Sequence, residues 1–202
     1  MLRVFYAAIE SVPDQPDGLN LSAYRLRRLS VLRPSLQRRQ GIAAELLLNH
    51  AIGQIRPDLP LPLEIDAADN GKPNLSGLGL FFSLSHSGGY AACALSDRPV
   101  GLDLELRSPV RELLLRRFSP AERDYIRSSA DPPAAFTELW TRKESYGKAT
   151  GEGLRAFRQD LDLLGPPEDV SLWHTALEDL HLSVCVLGGS AVPDLLEKID
   201  LT

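Results

Sequence analysis

Two short stretches carry the residues best suited to chemistry, Val100-Gly-Leu-Asp-Leu-Glu105 and Trp140-Thr-Arg-Lys-Glu-Ser-Tyr-Gly-Lys148. The first has the pattern of a strand. Asp103 and Glu105 are two apart, so they emerge on one face while Leu102 and Leu104 turn to the other. The second has the pattern of a helix, on which Glu144 and Lys148, four apart, stack on the same face. If strand and helix meet, three carboxylates and one ammonium share a pocket. Clustered anions of this kind are costly unless a cation stands among them, and hard carboxylate oxygens suit Mg²⁺. Such a set handles phosphate esters or anhydrides. Taken singly, either motif also fits an ordinary strand end or a solvated ion pair.

The elements that must position these residues can be read along the chain. Residues 2–9 read as a strand and 21–31 as a helix ended by Pro34. Ser35 is the expected N-cap of a longer helix through Ile52, with Ile42, Leu46, Leu47 and Ala51 as its inner stripe. Arg38 and Arg39 in its first turns oppose the macrodipole and invite an anionic partner; solvated arginines covering apolar surface are the alternative. A short strand is expected at residues 63–66, then a tight turn at Asp69-Asn-Gly-Lys-Pro73 that holds Lys72 at its tip. Phe81-Phe-Ser-Leu-Ser-His-Ser-Gly-Gly reads as a strand running into a Ser/Gly-rich loop that carries Ser85 and His86. Such a loop can turn backbone N–H groups to a phosphate, although a lone histidine there is more often structural.

Tyr90–Ser96 is the next strand. After Glu105 the chain turns helical and basic, with Arg107, Arg111, Arg116 and Arg117. Ser119-Pro-Ala-Glu122 is a capping box with proline at the first helical position. Asp131 opens the long helix bearing Glu144 and Lys148, and Gly151 ends it. Ala135, Phe136, Leu139 and Trp140 fall at helical spacing, which makes Trp140 a packing residue. Residues 151–155 read as a mobile loop. Val170–Ala176 and His181–Leu187 read as a closing strand pair, and the tail from Pro193 shows no pattern.

Composition excludes several classes. The 202 residues, 44% apolar and 24% charged, suit a soluble globular protein with a sizeable core. The net charge of −5 argues against a general nucleic-acid binder. Even so, six arginines between Arg25 and Arg39 have no acid among them and leave a local anion site open. No run reaches the roughly 18 apolar residues of a membrane span, and the N-terminus has no secretory pattern. A cytoplasmic protein is expected. Cys93 and Cys185 each lie in an apolar run and read as buried thiols. Their surroundings, Tyr90-Ala-Ala-Cys-Ala-Leu and Leu182-Ser-Val-Cys-Val-Leu, echo one another. Each half reads as strand, helices, strands, so two similar α+β halves joined near residues 97–100 are expected.

The paired motifs, with Gly71-Lys-Pro, Phe82-Ser-Leu-Ser-His-Ser-Gly and Phe118-Ser-Pro-Ala-Glu122 in the same order, resemble the Sfp-type 4′-phosphopantetheinyl transferases. The resemblance runs from about residue 36 to 186. It implies an α+β fold of two halves, 1–98 and 99–202, related by a pseudo-twofold with the active site between them. The implied reaction moves the phosphopantetheine arm of coenzyme A to a serine of an apo acyl or peptidyl carrier protein and releases adenosine 3′,5′-bisphosphate. Asp103, Glu105 and Glu144 would hold Mg²⁺; Glu144 would also act as base, and Lys148 would neutralise the pyrophosphate. Arg39, Lys72, Ser85 and His86 would meet coenzyme A phosphates. The acidic carrier would dock along the Gly151 loop, the strands after it and the arginine-bearing helix at 111–117, and a monomer is expected. The region before Arg39 matches less cleanly and leaves Arg25 and Arg28 without an implied role. A Mg²⁺-dependent nucleotide or pyrophosphate hydrolase using the same carboxylates is the alternative, and a non-catalytic carrier-binding module the third reading.

Overall fold

The computed structural model describes residues 1–67, 73–75 and 77–201. The chain divides into two compact units, Met1–Asp97 joined by the tail from Pro193, and Arg98–Val192. The first begins with strand β1 (Leu2–Ala8), helix α1 (Ala23–Ser30) and helix α2 (Leu36–Ile55). A short pair follows, β2 (Asp66–Ala67) and β3 (Pro73–Asn74), then the hairpin β4 (Phe81–Ser87) and β5 (Tyr90–Ser96). The main sheet has the order β4-β5-β1-β9, in which β9 (Leu195–Lys198) runs parallel to β1. The half expected to extend to residue 202 therefore ends earlier, because Leu195–Lys198 pairs with the open edge of β1.

α2 lies across the sheet face that carries Phe5, Phe82, Cys93 and Leu95, burying Ile42, Leu47, Leu48 and Ile52 against them. Each such side chain contributes about 1.5–3 kcal/mol when fully removed from water. α2 also buries Glu45, whose carboxylate accepts the Ser22 N–H and pairs with Arg25 Nε at 3.2 Å. Two expectations shift here. Ser35 occupies the N-cap of α2, yet its side chain makes no capping bond. Residues 63–65 are not strand, and the short pairing begins only at Asp66.

The second unit repeats the plan. Its elements are β6 (Val100–Leu106), α3 (Glu112–Leu115), α4 (Pro120–Ser128), α5 (Pro132–Thr150), a single 3-10 turn (Gly153–Ala156), β7 (Val170–Leu177) and β8 (Leu180–Leu187). The sheet order is β6-β8-β7, all antiparallel. β8 is central here as β5 lies between β1 and β4 in the first unit. Cys185 and Cys93 are both fully buried on these strands. The expected helical stretch after Glu105 starts only at Glu112, and the expected loop at 151–155 closes into the 3-10 turn.

α5 approaches the sheet closely because Gly101 has no side chain. A Cβ there would stand 1.9 Å from the Ser145 carbonyl oxygen and 2.5 Å from the Ala149 nitrogen. Further up the helix, the Thr141 and Ser183 hydroxyls share a hydrogen bond of 2.7 Å. On the flank facing α4, Lys143 is wholly buried and pairs with Glu122 at 3.0 Å. Gly151 ends the helix in the left-handed conformation, φ 79°, that a side chain would disfavour. On the sheet face beneath α5, His174 and His181 stack, with ring nitrogens 3.1 Å apart.

Two consequences are measurable. Gly101→Ala forces backbone away from backbone, so it should destabilise the protein by about 3 kcal/mol or more in denaturant titrations. A loss within about 0.5 kcal/mol of zero would mean that α5 can retreat freely. Burial, with Arg142 and His181 adding and Glu138 opposing, pushes His174 down to about 4. The unfolded chain therefore binds the extra proton between the ordinary histidine range and pH 4, and stability falls as pH drops through that window. A loss on the order of 2 kcal/mol between pH 7 and 4.5 is expected, and His174→Gln should flatten the slope. An unchanged slope in that variant would assign the loss to other groups.

Candidate active site

Asp103 and Glu105 leave β6 on the face turned to α5, the same face that Gly101 opens to the helix backbone. Glu144 and Lys148 project from successive turns of α5. The sheet and the helix therefore converge on one spot as the spacing predicted, while Leu102 and Leu104 are fully buried on the other face of β6.

Lys148 Nζ donates to Asp103 Oδ1 at 2.7 Å and to the Leu102 carbonyl at 2.9 Å. Asp103 is nearly buried, its side chain 6% exposed, so this ammonium supplies charge where water is scarce. Burial, and next the negative charge of Asp103, hold the Glu144 carboxyl above the usual carboxylate range. Lys148 pulls it down and Glu105 adds to the rise. The four side chains thus form one electrostatic unit of three carboxylates and one ammonium. Among the described residues no three His, Cys, Asp or Glu groups already stand in ligating geometry. The donor chemistry nevertheless suits a hard divalent cation: three carboxylates gathered beside one ammonium leave an excess of negative charge that a cation relieves.

The first unit carries the residues expected at phosphates, and the outcome there is mixed. The segment expected as a Ser/Gly-rich loop is strand as far as Ser87, with Ser85 opposite Ala92 and His86 opposite Ala91. Gly88, at φ 53°, supplies the tight turn that lets the strands pair to their ends, so the backbone there serves the ladder and not a loop. Ser85 and His86 consequently point to opposite faces; Ser85 is buried and His86 exposed. Gln40 Nε2 donates to the Gly88 carbonyl at 2.9 Å and sets the start of α2 against this turn. Arg39, the preceding residue, is exposed at the same end of the unit as His86. Lys72 lies outside the described residues. Arg25 is committed to Glu45, and Arg28 rests over the Tyr24 ring at 5.8 Å.

Two groups beside the site carry no expectation from the sequence, Gly101 as the contact point of α5 and Lys143 as a buried charge. Lys143 falls in the stripe Phe136, Leu139, Lys143, Tyr146, the buried side of the helix. A lysine at a core position with Glu122 in a neighbouring motif was the available signal.

Known proteins resemble this chain over most of its length. Residues 99–183 match the family model of the 4′-phosphopantetheinyl transferase superfamily, a span that contains Asp103, Glu105, Glu144 and Lys148. The 4′-phosphopantetheinyl transferase HetI of Nostoc sp. is 33% identical over 175 residues, 79% of this chain and 74% of HetI. AcpT of Salmonella typhi, also a 4′-phosphopantetheinyl transferase, is 35% identical over 160 residues, 74% of this chain and 77% of its own. The transferase psf-1 of Bacillus pumilus is 34% identical over 123 residues, 57% of this chain and 52% of its own. With its α+β elements, its motifs and these relatives, the chain belongs to the 4′-phosphopantetheinyl transferase family.

Proposed function

We propose that this enzyme transfers the 4′-phosphopantetheine arm of coenzyme A to a serine hydroxyl of an apo acyl or peptidyl carrier protein, releasing adenosine 3′,5′-bisphosphate. The observation that supports the reading most is the meeting of Lys148 with Asp103 beside Glu144, a raised carboxyl next to a fixed ammonium. Asp103, Glu105 and Glu144 are the residues that would hold Mg²⁺, which supplies charge neutralisation at the pyrophosphate.

The residues divide the remaining work. Glu144 takes the proton of the carrier serine, directly or through a water. The serine oxygen then forms its bond to the pantetheine-side phosphorus as the bond to the bridging oxygen breaks. Lys148 neutralises charge accumulating on the pyrophosphate oxygens, and such electrostatic positioning dominates phosphoryl-type transfer. His86 and Arg39 are assigned to coenzyme A phosphates, with Lys72.

Intact-mass measurement on a panel of apo carriers with coenzyme A and Mg²⁺ should show the gain of one phosphopantetheine arm. Release of adenosine 3′,5′-bisphosphate without any carrier would support a hydrolase instead. Glu144→Gln and Asp103→Ala, with unchanged circular dichroism, should each lower transfer at least about 100-fold. Near-normal turnover in either would remove that residue from its role. Lys148→Ala should lower kcat while KM for coenzyme A moves little; equal losses in both would make Lys148 a simple binding group.

A further inference from the structure

We infer that the buried pair Lys143–Glu122 is a positioning device for the reaction, setting the rotation of α5 from which Glu144 and Lys148 reach Asp103. The inference rests on the transferase reading above and adds residues outside the reacting set. Both side chains are fully buried, with 3.0 Å between Nζ and Oε2. The Glu122 carboxylate also accepts the Ser119 N–H at 2.8 Å and the Leu163 N–H at 2.9 Å. Lys143 Nζ donates in addition to the Leu161 carbonyl at 2.8 Å and lies 5.6 Å from the centre of the Phe118 ring. One ion pair thus joins the first turn of α4, the middle of α5 and the segment at residues 161–163.

Stability alone is a weak reason to bury such a pair, since an apolar pair of similar volume often serves as well or better. The pair does define an angle. A residue on the apolar stripe of α5 can slide and roll against Leu or Phe neighbours, whereas an ammonium held by a carboxylate and a carbonyl has one seat. Lys143 immediately precedes Glu144. With Gly101 fixing how near the helix lies and Thr141–Ser183 fixing one turn of it, the Lys143 seat sets the remaining freedom, rotation about the helix axis. A rotation of α5 by a few degrees displaces the Glu144 carboxylate and the Lys148 ammonium from Asp103, and misplacement near 1 Å is enough to cost two orders of magnitude in rate.

The test compares Lys143→Met, Glu122→Gln and the double variant with wild type, at a temperature well below each melting point. kcat and KM for coenzyme A are measured on an apo carrier, per folded molecule. The inference expects kcat to fall about 10- to 100-fold in each variant while KM stays within about twofold. Removing both charges should recover thermal stability in the double variant relative to Lys143→Met, without recovering kcat. If kcat returns with stability, or if any folded variant turns over like wild type, the pair is structural only and the inference fails. Glu122→Gln, nearly isosteric and with Lys143 retained, decides the matter if the lysine variants do not fold. Wild type that modifies no carrier in the panel would instead overturn the transferase reading itself.

Discussion

The close approach of α5 to β6 at Gly101 is the constraint on which the site depends. With the Ser145 carbonyl 1.9 Å from where a Cβ would stand, backbone packs on backbone with nothing between. That proximity brings residues on the next turns of α5 over Asp103 and lets the Lys148 ammonium reach both the Asp103 carboxylate and the Leu102 carbonyl. A larger residue at position 101 would part helix and strand, and the ion pair would have to stretch or open. The glycine of the first motif therefore governs where the helix sets Glu144 and Lys148 against the carboxylates two and four residues on.

The same proximity sets the electrostatics. Three carboxylates in a half-buried place cannot all remain comfortably ionised, and the burden falls on Glu144, raised by its own burial and by Asp103. One ammonium offsets part of the excess. The arrangement is thus unfavourable to the protein alone and favourable to any ligand that adds positive charge, the usual condition of a functional carboxylate cluster. The stability of the unit must come from elsewhere, from the Phe118–Phe136–Phe157 cluster at the first half of α5 and the Tyr146–Leu163–Cys185 cluster at its second half.

Much of this was legible in the sequence, for identifiable reasons. Period-2 and period-3.6 patterns located β6 and α5, and the Ser119 capping box, Asp131 and Gly151 fixed helix ends because caps are local chemistry. The strand–helices–hairpin echo around Cys93 and Cys185 foretold a repeated connectivity. What stayed hidden was non-local. The edge strand Leu195–Lys198 has meaning only once β1 offers its edge, and a strand that runs to its turn residue at Gly88 looks like a loop until its partner is known. Lys143 belongs to this class: its charge reads as surface until Glu122 is seen beside it.

The two units also solve one problem in mirror-image charge. In each, the helix that covers the sheet buries an ionisable side chain and ties it to the cap of the helix before it. In the first unit Glu45 of α2 accepts the N–H of Ser22, the cap of α1, and pairs with Arg25. In the second, Lys143 of α5 pairs with Glu122, which accepts the N–H of Ser119, the cap of α4. The sheet positions beneath the helix then diverge. By register against the central cysteines, Phe5 and Ala7 of β1 correspond to Gly101 and Asp103 of β6. The first unit fills that space with Phe5 and Ala7, both fully buried, and so has a core there. In the second, the backbone of α5 closes on Gly101, and the Asp103 carboxylate stands at the position of Ala7. A common frame tied by a buried charged pair thus covers a packed core in one copy and a glycine and a carboxylate in the other, where the glycine also sets how near the helix lies.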